Sequence, residues 1–465
     1  MSDAVKSLKG RGNKRTPQPH RGTGREKRQK SRGIAALTVF FLLMLLFPFV
    51  PSLYGKTEGV AGKSLTLEEC VSIGLSANPA FEVSLQSLRA VQERVGEVKG
   101  GYYPSFKISS SYTYTTPQDL RMTFQEDVYD TRLFMRQTLF DAGATAQSVE
   151  TVRHSIRAQE YEVRRTGLDI VQAVKTAFYD VLKKKELAEV AKTALQGAER
   201  HLEQAHSLYR EGLAPRSDVI KAEVQVSNAR LDVVKAESSR LSSQAVLASA
   251  MGVPAPVRFD ITGREPDLPI VIPPLKVLMD SALALRPELK GSGARIESAG
   301  AVVRQVRSGF YPNVSLDASY GWQEGNFLPN DRKWSVGVTV GIPLFEQLTT
   351  RSKVNQAVAN LNGLRAAEEQ LARVVELEVE QAWLALKEAA ERLAVTQKSL
   401  EQAQEDMRVS EGRYREGIGN ILEVIDAQTA LTQARTNRVA AAYDSAQAQA
   451  RLDRAVGRGI EEETR

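Results

Sequence analysis

Apolar positions along the chain follow two periods. A helical period runs through Leu67–Lys99 for about 33 residues, from Ala142 to Tyr209 for about 68, and through Asp218–Ala250 for about 33. Between the first two lies a segment of period two. Ser105–Thr115 sets Phe106, Ile108, Tyr112 and Tyr114 on one face and Lys107, Ser109, Ser111 and Thr113 on the other, and a second strand is expected near Asp130–Phe140. Proline marks the limits of the helices, because inside a helix it costs about 3 kcal/mol. No proline lies between Pro117 and Pro215 or after Pro343, so both intervals read as long helices, the first broken at Gly212 and Pro215.

The order then repeats. About 34 helical residues from Leu275 to Ser308 precede strands near Val314–Trp322 and Trp334–Leu344; about 67 helical residues run from Gln347 to Arg413, and about 35 more reach Ala455. Sequence echoes confirm a duplication. Gly101-Tyr102-Tyr103-Pro104 returns as Gly309-Phe310-Tyr311-Pro312, and Ala77-Asn78-Pro79 as Leu285-Arg286-Pro287, both at an offset of 208. Leu139-Phe140-Asp141 returns as Leu344-Phe345-Glu346, Tyr209-Arg210-Glu211-Gly212-Leu213 as Tyr414-Arg415-Glu416-Gly417-Ile418, and Met251-Gly252 as Val456-Gly457, all at 205. A period this long indicates two fused copies of one large unit, not a solenoid. The expected layout is a basic and signal region (1–62), a first repeat (63–252), a proline-rich linker (253–274), a second repeat (275–457) and a short tail (458–465).

A helix of about 67 residues spans about 100 Å. Two helices of about 33, stacked end to end, would lie alongside it. Such lengths need neighbours throughout, as in a coiled-coil bundle. Helix pattern alone leaves a solvated structural coiled coil open. Strands of about ten residues are long enough to cross a bilayer at a tilt. Val336, Val338, Val340 and Ile342 alternate with Ser335, Gly337, Thr339 and Gly341, which suits lipid on one side and water on the other; a half-buried soluble sheet alternates identically. Four strands cannot close a barrel, and sheet edges cannot face lipid, so membrane strands here would require several copies of the chain.

The net charge of +6 is misleading. Residues 1–33 hold 11 Lys/Arg against 2 Asp/Glu, leaving the remainder near −3, so no nucleic-acid partner is expected. The basic stretch runs into an apolar one, Ile34–Val50, and reads as an export signal with cleavage after Gly62 or near Gly55; an uncleaved anchor helix is the alternative. Cys70 is the sole cysteine, and Leu67-Glu68-Glu69 before it argues against lipidation, so it is expected to be a small buried residue. The four histidines form no HExxH, and His201 and His206 are expected at the surface. Gly62-Lys63-Ser64 ends like a phosphate loop but has Thr57 where glycine is required, and no Gly-x-Ser-x-Gly occurs. No enzyme chemistry, cofactor or metal centre is expected.

The Leu65–Glu69 start, Asn78-Pro79, the duplicated Tyr-Pro strand starts and the two Tyr-x-x-Gly turns together resemble the TolC-type outer membrane efflux proteins over Leu65–Gly457. The resemblance implies a mainly α fold with a membrane β-barrel: a homotrimer sharing one twelve-stranded barrel in outer-membrane lipid, continued by an α-helical tunnel across the periplasm. It implies a passive exit duct of a tripartite efflux or type I secretion system, fed by an inner-membrane transporter through a periplasmic adaptor. The turns become gate and docking tips. Gly212, Leu213, Gly417 and Ile418 match the adaptor-contacting segments, Glu423 and Asp426 the acidic constriction, and Tyr414 with Asp218 a tyrosine–aspartate bond that helps hold the closed state. Gly419 replaces an arginine of the family archetype, and Pro215 departs from the usual smaller neighbour. The competing reading is an inner-membrane-anchored periplasmic adaptor, against which stand the two hairpins and the few strands.

Overall fold

A computed structural model describes residues 62–114, 127–254, 256, 259–263, 272–324 and 331–459; the signal and its cleavage sites lie outside the described residues. The first repeat comprises β1 (Ser64–Leu65), α1 (Leu67–Ala77), α2 (Pro79–Lys99), β2 (Ser105–Tyr114), β3 (Asp127–Phe140), α3 (Ala144–Arg210) and α4 (Arg216–Ala250). After β4 (Asp260–Ile261), the second comprises α5 (Leu275–Leu285), α6 (Pro287–Arg307), β5 (Asn313–Glu324), β6 (Lys333–Gly341), α7 (Gln347–Arg415) and α8 (Ile421–Val456).

Each of the single helices expected before the strands, over Leu67–Lys99 and Leu275–Ser308, is in fact two helices. The residue before a proline is pushed out of the α region, and Asn78 (φ −71°, ψ 121°) and Arg286 (φ −59°, ψ 124°) are extended accordingly. Asn78 serves both sides of the break: its side chain accepts from the Ala80 N–H and donates to the Ala250 carbonyl (2.9 Å each). The stacking expectation changes with it. The end of α4 abuts the corner at Asn78, where a Cβ on Gly252 (φ +74°) would fall 2.5 Å from the Asn78 Cα, and Gly457 (φ +85°) sits likewise on Arg286. Only α2 therefore continues the line of α4, and α6 that of α8; the eleven-residue α1 and α5 pack against the long helices instead.

Those short helices hold the main cores. Cys70 and Val71 of α1 pack with Val174, Phe178 and Val181 of α3, Leu247 and Met251 at the end of α4, and Tyr443 of α8. Burying a side chain of this size contributes about 1.5–3 kcal/mol. Burial, reinforced by Glu69 and Glu68, pushes the Cys70 thiol up to about 12, so it is an inert core residue, as expected. The proline-rich stretch is more than a linker: β4 pairs in parallel with β1, and Phe259 and Ile261 enter the same core. In the second repeat Leu278 and Ala282 of α5 pack with Val375, Val379 and Leu386 of α7 and Leu452 of α8.

The remaining strands form one antiparallel sheet in the order β2-β3-β5-β6, so both β2 and β6 are open edges. Strand β6 stops at Gly341, short of Leu344, because Pro343 has no N–H for the ladder. The register keeps Phe106, Ile108 and Tyr112 on the same face as Leu133, Met135, Leu316, Ala318, Val336 and Val338. That face is apolar and open: Ile108 is 75% exposed and Val338 62%. Helices α2, α3, α6 and α7 adjoin in that order beside the sheet, and α4, α3, α8 and α7 do so toward the turns.

The joint between sheet and helix differs between the copies. Asp141 accepts from the N–H of Gly143 (2.9 Å), the N–H of Thr145 (2.7 Å) and the Thr145 hydroxyl (2.5 Å), closing the first turn of α3. Partial burial works against the charge, but these bonds hold the carboxyl below its usual range. Its counterpart Glu346 makes no side-chain capping bond. Asp141→Ala is expected to cost about 1 kcal/mol at neutral pH and Glu346→Ala almost nothing. Thermal melts of detergent-purified protein followed by circular dichroism check this; equal effects would refute the assignment.

Candidate functional site

The two turns are built alike. In the first, Gly212 takes φ +76° and the Leu213 N–H donates to the Leu208 carbonyl (2.8 Å); in the second, Gly417 takes φ +73° and the Ile418 N–H donates to the Arg413 carbonyl (3.1 Å). Both close their helix with the six-to-one bond that a left-handed glycine permits. Leu213 and Ile418 are left prominently exposed, 72% and 71%. Gly419 is fixed by the turn itself: its N–H donates to Arg413, and a Cβ there would lie 2.9 Å from the Tyr414 nitrogen. An arginine at this position would require a different turn.

Glu423 and Asp426 lie on the exposed side of α8, opposite Ile421, Val424 and Ala427, which are buried. The guanidinium of Arg413 approaches Glu423 to 4.0 Å, a distant and half-exposed pair worth little. At an offset of 205 these acids correspond to Asp218 and Lys221. In the first copy that pair is mutually compensating, with Lys221 Nζ 3.6 Å from Asp218; the second copy has two carboxylates in its place.

Tyr414 is 4% exposed and packs with Met407, Ile421, Val424 and Leu431. Burial, and secondarily the charge of Asp218, push its phenol upward. The expected bond between them is absent within the chain: the Tyr414 hydroxyl is buried without a hydrogen-bond partner, and Asp218 instead meets Lys221 and the Ser217 hydroxyl. The equivalent Tyr209 is exposed.

His201 corrects the surface expectation. It is 7% exposed, beside Ala198 and Ala205, which pack on Val226, Ala229, Val219 and Ala222 of α4. The spacing 198, 201, 205 is a core spacing, and reading it would have placed His201 inside. His206 is exposed. The His201 Nε2 is buried without a hydrogen bond, 3.6 Å from Glu411 of α7, and Gln428 of α8 packs over Gly197 one turn away. A polar layer from three helices therefore lies about one helical turn from Tyr414. Among the described residues no group of three or more His, Cys, Asp or Glu converges as metal ligands.

Two long hairpins from a duplicated chain, capped by a sheet whose apolar face is uncovered, define a membrane-channel subunit. The chain belongs to the outer membrane efflux protein family, whose model matches residues 71–253 and 278–458. It is 23% identical over 394 residues to protein CyaE of Bordetella pertussis, covering 81% of this chain and 80% of that one. It is 20% identical over 385 residues to outer membrane protein TolC of Escherichia coli, covering 79% and 77%. The crystal structure of CusC matches with a TM-score of 0.74 at 17% identity, over 88% of this chain and 97% of the other. The protein is thus an exit channel of the outer membrane, and the adaptor reading falls away.

His201 gives the hairpin packing a pH dependence. Burial lowers the imidazole's proton affinity and Arg200 adds to this; the pull of Glu411 and Gln428 opposes it without prevailing. The packed state favours the neutral ring, so its contribution is complete above about the ordinary value of 6.5 and is lost as pH falls below it. Hydrogen exchange across residues 407–424, corrected for intrinsic rates, should be faster at pH 5.5 than at 7.5 in the parent protein and equal in His201→Gln. The same acceleration in the variant would contradict this.

Proposed function

We propose that three copies assemble into a twelve-stranded barrel and a helical tunnel, and that the chain acts as the passive outer-membrane duct of a tripartite efflux or type I secretion system, without enzymatic chemistry of its own. The observation that carries this is the open sheet: an exposed apolar face flanked by two unpaired edges. Lipid accommodates the face but not the edges. Strands β2 and β6 run antiparallel to each other at the two edges of the four-stranded antiparallel sheet, so a β2 edge meeting the β6 edge of a second copy continues the same pattern. The helices support the same arrangement. The flanking helices α4 and α7 expose apolar positions along their length, Ile220, Val224, Leu231, Val234 and Leu241 on one and Leu377, Leu384 and Val395 on the other. Their spacing in α4 is that of a coiled-coil seam.

The tips serve two tasks in this reading. Leu213 and Ile418, exposed beside Gly212 and Gly417, meet the periplasmic adaptor that links the duct to an inner-membrane transporter. Glu423 and Asp426 from three copies make a ring of six carboxylates that attracts cations, divalent ones included, and repels anions. Tyr414 and Asp218 help keep the ring closed.

Cells expressing Asp218→Ala/Tyr414→Phe should admit large antibiotics that the parent channel excludes, at least fourfold by inhibitory concentration on the order expected for about 1 kcal/mol lost from the closed state. Unchanged permeability would remove these residues from the gate. A photo-crosslinker attached at Leu213→Cys should capture a periplasmic protein with a helical hairpin; capture of none in functioning cells would refute the docking role.

A further inference from the structure

We propose that the polar face of the sheet forms a basic collar that draws multivalent anionic solutes into the exit end of the channel, opposite in sign to the acidic tips; this rests on the duct reading. The register assembles the collar in rows. Arg136 lies opposite Asp317, which lies opposite Gly337; Lys107 lies opposite Phe134, followed by Ser319 and Ser335; Ser109 lies opposite Arg132, followed by Gly321 and Lys333. All of these share the face opposite Ile108 and Val338. That face is hollowed into a half-open depression of about 640 Å³ lined by Lys107, Ser109, Phe134, Arg136, Asp317 and Ser319 among others. Concavity and polarity coincide, which places this face toward the water of a closed barrel.

The charges there do not balance. Strands β2, β3, β5 and β6 bring four cations to the face, Lys107, Arg132, Arg136 and Lys333, and two acids, Asp130 and Asp317. Both acids are committed: Arg132 Nε is 2.8 Å from Asp130, and Arg136 Nε is 2.6 Å from Asp317, which also accepts from the Ser315 hydroxyl (2.9 Å). Lys107 and Lys333 have no acidic partner among the described residues. They sit on the two edge strands, so closure of the sheet with other copies brings the Lys107 of one beside the Lys333-bearing strand of the next. Three copies contribute six such ammonium groups inside a wall of low dielectric, which concentrates their field on the water within. A solute with several negative charges within about 8 Å of the wall feels them at physiological salt. The acidic pair at the tips and the lysine pairs at the barrel give the two ends of the duct opposite preferences.

Inorganic tripolyphosphate added to the barrel side of a planar bilayer holding the assembled channel tests this. It should reduce the current of the parent protein, and the half-blocking concentration should rise about tenfold in Lys107→Gln/Lys333→Gln, with the block fading at high salt. No block in a conducting parent channel, or equal block in the double variant, would overturn the collar. Calorimetric titration of the detergent-solubilised protein with tripolyphosphate reads the collar without current: weaker binding by the double variant supports it, and equal or absent binding overturns it. A protein that binds the anion through these lysines but never conducts would count against the duct and leave the collar standing.

Discussion

Backbone groups at a sheet edge have no substitute partner in hydrocarbon, and each left unpaired there costs several kcal/mol. Strands β2 and β6, of ten and nine residues, each present one such edge. The rest of the architecture follows from relieving that cost. A side-chain rearrangement cannot cap two whole edges, and the four-stranded sheet is too narrow to curl onto itself. The apolar face, exposed along Phe106, Ile108, Val336 and Val338, gains from lipid only once the edges are satisfied. In the proposed barrel, assembly is the condition for insertion, and the helices that follow each strand inherit the order set by the sheet.

Duplication supplied two similar hairpins, and the proposed gate draws on the differences between them. The corner at Asn78 is neutral and caps its neighbours through backbone bonds, whereas Arg286 in the second copy is a buried cation held by Glu378 and Glu288, with Arg454 bridging Asp169 and Glu288 (2.5 and 2.6 Å). Asp218 and Lys221 neutralise each other; Glu423 and Asp426 at the same place cannot. Tyr209 is exposed and Tyr414 buried. At these tip positions the first hairpin pairs its charges, and the second carries the two carboxylates and the buried phenol on which the proposed gate rests. Between them, His201 places an imidazole in a layer where a proton is unwelcome.

Much of this could be read from the sequence, because long proline-free intervals and strict alternation are strong local signals. The helices of the two long hairpins and the strand pairs emerged within a few residues, and the turns at Gly212 and Gly417 were legible from glycine placement. Asn78-Pro79 and Arg286-Pro287 were visible as motifs, yet their consequence, two helices where one was expected, depends on what the extended residue leaves room for, namely the ends of α4 and α8. The position of His201 is decided by its helical spacing to Ala198 and Ala205, which its polar residue type masks. The link between β1 and β4 was hidden in a proline-rich stretch whose pairing spans nearly two hundred residues. Whether Tyr414 meets Asp218 is a matter of ångströms between hairpins, which no spacing rule supplies.

The central claim is that the β2 edge of one copy is closed by the β6 edge of another. It is tested most directly by interchain disulfides in native membranes. Cysteine at Ile108 on β2 is combined in turn with cysteine at Val336, Val338 or Val340 on β6, all on the same face, with Cys70 buried and unreactive. Oxidation should convert at least one pair into a covalent trimer, with dimer as its intermediate, because Cα atoms of facing edge residues come within disulfide reach. Monomer alone from all three pairs, in protein shown to reach the outer membrane, would contradict it.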